Sequence, residues 1–226
     1  MSINLYLEQS GLSVLLQGQE RAIEQAAAVL KGQLATAATP AVTWSYQVPE
    51  LGEGGACSLF GQLAEQPYDL AATLGQTEAT TQALSQLTAV VQNYQQTNDS
   101  DWFGIYQKRQ NPQGDTVLVK LAYFGAASRA EFPLTTEFAQ ISNNSTVGLT
   151  GKAKVINDVT AYLTAGGEYY TCDPKVLSEA CLPLFNSKGE LAGIIDAEAF
   201  KRQAYHTEAL VRLVAICLVL PDLLPA

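Results

Sequence analysis

Three short stretches of this chain place acidic and aromatic side chains at strand spacing, and they are where chemistry would be sought. In Trp102-Phe103-Gly104-Ile105-Tyr106, alternation puts Trp102, Gly104 and Tyr106 on one face and Phe103 and Ile105 on the other. In Ser178-Glu179-Ala180-Cys181-Leu182-Pro183-Leu184, Glu179 and Cys181 oppose Ala180, Leu182 and Leu184. In Gly193-Ile194-Ile195-Asp196-Ala197-Glu198, Asp196 and Glu198 share a face opposite Ile195, Ala197 and Ala199. A pocket lined by Trp102, Tyr106, Glu179, Asp196 and Glu198 would suit a cationic small molecule. Carboxylates pair with an ammonium group, and ring faces attract it.

Cysteine is the other reactive type. Cys57, Cys172, Cys181 and Cys217 include no Cys-x-x-Cys pair, since the closest two, Cys172 and Cys181, are nine positions apart. Zinc-ribbon and thioredoxin-type spacings are therefore absent, and the four are expected to be free thiols in a reducing compartment. The single histidine, His206, excludes multi-His metal centres and leaves little for a Ser-His-Asp triad. Gly148-Leu149-Thr150-Gly151-Lys152 lacks both the first glycine and the final Ser or Thr of a phosphate loop, and no Gly-x-Gly-x-x-Gly is present. Neither a metal nor a cofactor is expected.

The elements that must carry these residues are readable in outline. Glu78 to Gln96 has Leu84, Leu87, Val91 and Tyr94 at helical spacing. Strands are expected at Trp102–Lys108 and Thr116–Tyr123 around the turn 111–115, and at Ala180–Phe185 and Leu191–Ala197 around the turn 186–190. A last helix from about His206 to Val219 carries Leu210, Leu213, Val214 and Cys217 on one stripe, which makes Cys217 a core residue. This pattern predicts an α+β fold, an antiparallel sheet with helices on one face and a ligand pocket on the other, roofed by long connections. Before residue 77 the reading is of an α/β appendage of uncertain fold. It has a strand at Ser13–Gln17, a helix at Gln19–Leu34 and a strand at Val42–Val48. The expected division is thus 1–76 and 77–226.

The 226 residues are 47% apolar and only 15% charged, with 13 basic against 22 acidic side chains and a net charge of -9. Such a field repels phosphate backbones and anionic headgroups, so neither nucleic acid nor a membrane surface is an expected partner. The longest nearly apolar run, Ala209 to Leu220, is too short to span a bilayer. Met1 to Gln19 has no basic residue ahead of an apolar stretch, so no secretory signal is indicated and a cytoplasmic protein is expected.

The segments Asp101–Tyr106, the turn Val147–Gly151, Asn157-Asp158-Val159, Thr171-Cys172-Asp173, Ser178-Glu179 and Gly193–Glu198 occur in an order and spacing similar to those of the free methionine-(R)-sulfoxide reductases, which are stand-alone GAF domains. The resemblance covers roughly residues 77 to 220. It implies Cys172 as the catalytic nucleophile, with Glu179 and Asp196 as its catalytic carboxylates. Glu198 matches the second member of the family's acidic pair, and Trp102 and Tyr106 match its aromatic wall. The implied reaction is thiol-dependent reduction of free methionine-(R)-sulfoxide through a sulfenic acid on Cys172, with a second thiol, such as a thioredoxin-type reductant, completing the cycle. Departures from the family pattern are specific. Gln140 and Thr150 stand where two further cysteines are usual, which leaves Cys181, Cys57 or an external thiol to resolve the sulfenic acid. Glu198 is one methylene longer than the family's Asp, and Gly166–Thr171 differs from the usual loop. Two other readings follow from the same residues. One is a non-catalytic GAF module that binds an amine-bearing ligand as sensor or store, and the other is a homodimer formed through residues 1–76.

Overall fold

A computed structural model describes residues 1–52, 58–169 and 173–226. The chain opens with α1 (Ile3–Ser10), closed by Gly11 in the left-handed conformation, and α2 (Glu20–Thr36). Short strands follow: β1 (Ser45–Tyr46), β2 (Pro49–Leu51), β3 (Ser58–Leu63) and β4 (Tyr68–Asp69). They pair as β1 with β4 and β2 with β3. After α3 (Leu70–Leu74), Thr77 and Thr80 form a reciprocal capping box that starts α4 (Glu78–Gln95).

The central sheet is built from β5 (Trp102–Gln110), β6 (Thr116–Phe124), β7 (Glu131–Pro133), β8 (Lys154–Ile156), β9 (Ser178–Phe185) and β10 (Leu191–Ala199). Its order is β7-β6-β5-β10-β9-β8, and every neighbouring pair is antiparallel. Two hairpins, β5–β6 and β9–β10, thus meet side by side at its centre. The turns that close them use asparagine in the same way. Asn111 Oδ1 accepts from the amides of Gln113 and Asp115, and Asn186 Oδ1 from those of Lys188 and Glu190. Between β7 and β9 run α5 (Thr136–Ala139), α6 (Asn143–Thr150) and α7 (Val159–Thr164), and α8 (Thr207–Val219) closes the chain with His206 at its N-cap.

One face of the sheet holds the main core. Phe103, Ile105, Ala180, Leu182, Leu184, Ile195 and Ala197 are all fully buried there, beneath α4 and α8. The amphipathic stripe expected of the last helix understates the outcome: α8 is buried nearly all round, because α2 packs on its outer side. That second covering explains why the run from Ala209 to Leu220 is apolar apart from Arg212, which pairs with Asp99. Cys217 lies in this core, and burial pushes its thiol up to about 12.

Residues before 77 enter the same apolar cluster. Tyr6, Leu16, Ile23 and Leu70 join it with almost no exposure, and the Tyr6 hydroxyl donates to the Pro183 carbonyl of β9 at 3.0 Å. The core therefore crosses the boundary drawn at residue 76. Three local expectations are corrected. Ser13–Gln17 is a run of turns instead of a strand. The Leu16 amide donates to the Leu12 carbonyl, so the two buried leucines recur at a spacing of four where a strand needs two. Of Val42–Val48 only Ser45–Tyr46 pairs into a ladder. The expected turn Val147–Gly151 is the end of α6, with Gly151 as its left-handed cap at φ +66°. Among the described residues, no helix is long and apolar enough to cross a membrane.

Candidate functional site

The second face of the sheet carries the acidic and aromatic residues, and the register brings them together. Glu198 on β10 stands opposite Trp102 on β5 and opposite Glu179 on β9. Asp196 stands opposite Gly104 and Cys181. Two carboxylates in direct cross-strand register are a destabilising pair unless something else compensates. Gly104 is required by Trp102. A Cβ at Gly104 would lie 2.3 Å from the indole Cη2, so only glycine lets the ring fold along its own strand toward Tyr106, with ring centroids 6.4 Å apart. The loop after β6 holds these rings from outside. Trp102 Nε1 donates to the Ala126 carbonyl at 3.0 Å, and the Tyr106 hydroxyl donates to the Arg129 carbonyl at 3.3 Å.

Helix α6 closes the site from the other side. Ser142 caps it by accepting from the Ser145 amide, and its first turn points two amides at the acids. Asn143 Nδ2 donates to Glu179 Oε1 at 3.0 Å, and Asn144 Nδ2 donates to Asp196 Oδ2 at 2.9 Å. Tyr169 adds a hydrogen bond to Glu179. Two oxygens are left over: Asn144 Oδ1 and Asp196 Oδ1 are buried and have no hydrogen-bond partner among the described residues. A buried acceptor without a donor costs free energy.

The acids are protonated more readily than ordinary carboxylic acids. Burial is the largest cause for all three. Glu179 raises Asp196 further, and Asp196 and Glu179 raise Glu198. The hydrogen bonds from Tyr169 and Asn143 pull Glu179 back toward its charged form, and that from Asn144 does the same for Asp196. The Tyr169 hydroxyl is pushed up by burial and by the three carboxylates. Carboxyl groups that interact this closely titrate as a set, and a positive charge beside them favours their ionised forms.

Trp102, Tyr106, Glu179, Asp196 and Glu198 all line one pocket, with about 60 Å³ of free volume. Cys181 is the exception among the described candidates: it sits on the same sheet face but is fully buried below the pocket floor, packed with Tyr106, Val147 and Ile194. Burial, then Asp196 and Glu179, raise its thiol pKa well above the usual value. Cys172 and Cys57 lie outside the described residues. Asp173, the next residue after Cys172, lines the pocket. Gln140 and Thr150 do not: Gln140 caps the end of α5 and Thr150 is exposed at the end of α6. Ser142, Asn143 and Asn144 line it instead. Sequence reasoning missed these residues and Tyr169. The one available signal was Ser142 as a helix cap ahead of two asparagines, which in isolation reads as a polar loop. Among the described residues, no group of three or more His, Cys, Asp or Glu side chains is placed to hold a metal ion.

Neither a protein-family model nor a curated protein matches the chain. Solved structures do. A type II free methionine-R-sulfoxide reductase from Thermoplasma acidophilum is 24% identical, with 65% of this chain and 94% of that one covered at a TM-score of 0.55. A structure described as that of the GAF domain matches over 91% of this chain and 89% of its own, at 14% identity and a TM-score of 0.53. The fold is that of a GAF domain. A free methionine-R-sulfoxide reductase from Neisseria meningitidis, solved in complex with its substrate, is similar over 62% of this chain and 77% of its own, with 20% identity and a TM-score of 0.51. Within the GAF fold of this chain, the pocket lies on the sheet face away from α4 and α8, between α6 and the loop that follows β6.

Proposed function

We propose that the pocket binds a small amine-bearing molecule and, in the finer form of this reading, that the molecule is free methionine-(R)-sulfoxide, reduced by Cys172. The observation that carries the binding step is the pair of oxygens, Asn144 Oδ1 and Asp196 Oδ1, that have no partner among the described residues and are buried among three carboxyl groups beside Trp102 and Tyr106. A primary ammonium group supplies N–H donors to both atoms and positive charge to the acids, and an aromatic wall accepts the apolar remainder.

The reductive step rests on the sequence likeness at Cys172, on the two reductases that share the fold, and on the acids themselves. A carboxyl group whose pKa is raised by burial keeps its proton to higher pH than an ordinary one, which suits it to act as a general acid. The Cys172 thiolate attacks the sulfoxide sulfur while a carboxylic acid among Glu179, Asp196 and Glu198 protonates the oxygen. The S–O bond passes to the cysteine, giving a sulfenic acid and free methionine. Two equivalents of an external thiol then return the cysteine to its reduced form, releasing one disulfide and one water. The test is consumption of free methionine-(R)-sulfoxide with a thiol reductant. The account expects turnover by the parent and none by Cys172→Ser. Equal turnover by the two removes the reductase reading, and binding of the compound by the parent without turnover leaves the GAF pocket as a binding module.

A further inference from the structure

The sequence likeness to the reductases covers roughly residues 77 to 220, yet Tyr46, which precedes it, is bonded to a residue that stands behind the wall of the pocket. β7 pairs with β6 only at Val117–Val119, so the Lys120 carbonyl lies past the end of that ladder. The buried Tyr46 hydroxyl donates to it at 2.7 Å, and Tyr46 is in turn fixed by its pairing with Tyr68. The Lys120 side chain is fully buried, an expensive place for a cation unless it is well paired. Its Nζ lies 3.9 Å from the centre of the Tyr123 ring, 4.9 Å from that of Tyr46 and 5.9 Å from that of Trp102. It donates to the Ser128 carbonyl at 2.8 Å and to Ser128 Oγ at 2.7 Å. Ser128 lines the pocket, and Lys120 stands behind it. An apolar side chain would fill the same space between the three rings; the ammonium group adds the tie to the loop.

We propose that Tyr46, Lys120 and Ser128 form a strut through which the N-terminal segment holds the loop 125–129 as a wall of the pocket. Lys120 and Tyr46 are then positioning residues, and residues 1–76 are part of what makes the site. The same loop is held at its two ends by Trp102 and Tyr106, so the strut secures its middle. Gly125, at φ +107° with a Cβ site 2.6 Å from the Trp102 ring, lets the chain leave β6 close against the indole. That the wall serves an amine-bearing ligand rests on the function proposed above, but the strut itself is testable without any ligand.

The experiment is hydrogen exchange of the free, full-length protein, followed by peptides over 125–130, β9 and α8. Lys120→Met is expected to speed exchange in the loop roughly tenfold, with β9 and α8 unchanged. Tyr46→Phe keeps the ring and removes only the hydroxyl, and is expected to speed the loop roughly threefold. Unchanged exchange at 125–130 in both variants overturns the proposal. So does acceleration that is uniform across loop, β9 and α8, because that marks general destabilisation in place of a local tie. Loss of the proposed ligand reading would leave these rates where they are.

Discussion

The two faces of the central sheet are made by alternate residues of the same strands, and they have opposite characters. On one face Phe103, Ile105, Leu182 and Ile195 are buried under helices with no polar atom to satisfy, each contributing about 1.5–3 kcal/mol of apolar burial. On the other, one residue along, Trp102, Glu179, Asp196 and Glu198 gather acids and rings around a cavity, and two buried oxygens have no partner among the described residues. Backbone and hydrogen-bonded ladder are shared, so the difference lies in the side chains alone. The lesson is that stability and unmet chemistry are segregated by strand parity: one face supplies the free energy that lets the other hold its carboxyl groups together.

The largest effect should come from breaking the apolar face. Phe103 packs against Tyr94 with ring centroids 4.5 Å apart and the rings tilted by 46°, and Phe103→Ala is expected to cost about 3–5 kcal/mol in urea unfolding. One position along in register, Asp196→Asn is expected to do the reverse. It keeps an oxygen for Asn144 and removes one charge from the cluster, so the free protein should hold its stability or gain about 1 kcal/mol, while affinity for the amine ligand falls about 100-fold. A loss of stability as large as that of Phe103→Ala would break the comparison.

The pH dependence sharpens it. Carboxyl groups whose folded-state pKa is raised bind more protons in the folded than in the unfolded chain. Their contribution is therefore most favourable at low pH, and it is lost as pH rises from about 4, the unfolded value, through the raised folded range. Urea midpoints of the parent should fall over that interval, and the fall should shrink in the double variant Asp196→Asn with Glu198→Gln. The smallest effect concerns the thiols. Cys181 and Cys217, both buried and raised, should resist alkylation in the native protein at pH 8 and react only on unfolding, read by mass spectrometry of labelled peptides. Rapid native labelling of Cys181 would show that the pocket floor opens.

Strand parity was also what made the sheet legible in advance. The alternations in Trp102–Tyr106, Glu179–Leu184 and Gly193–Glu198 assigned each of these residues to the face it occupies, because a period of two is set by the backbone. Elements with weaker periodicity were not legible. Helix α6 holds Asn143 and Asn144 buried against acids, so its polar inward side imitates a loop. Leu12 and Leu16 sit in turns where a short apolar run imitates a strand. Cross-sheet ties such as Tyr46 to Lys120 join residues 74 positions apart, and no local pattern encodes them. The role of Cys172 comes from family likeness alone, since nothing adjacent to it in sequence favours a thiolate.

The most direct test of the central claim, that the acidic face receives an ammonium group, is calorimetric titration of the parent with free methionine-(R)-sulfoxide and with its N-acetyl derivative. The account predicts that the free compound binds, more tightly as pH rises through the raised range of the acids and with release of protons from the cluster, and that N-acetylation weakens binding about 100-fold. Equal binding of the two compounds, or binding of neither, would contradict it.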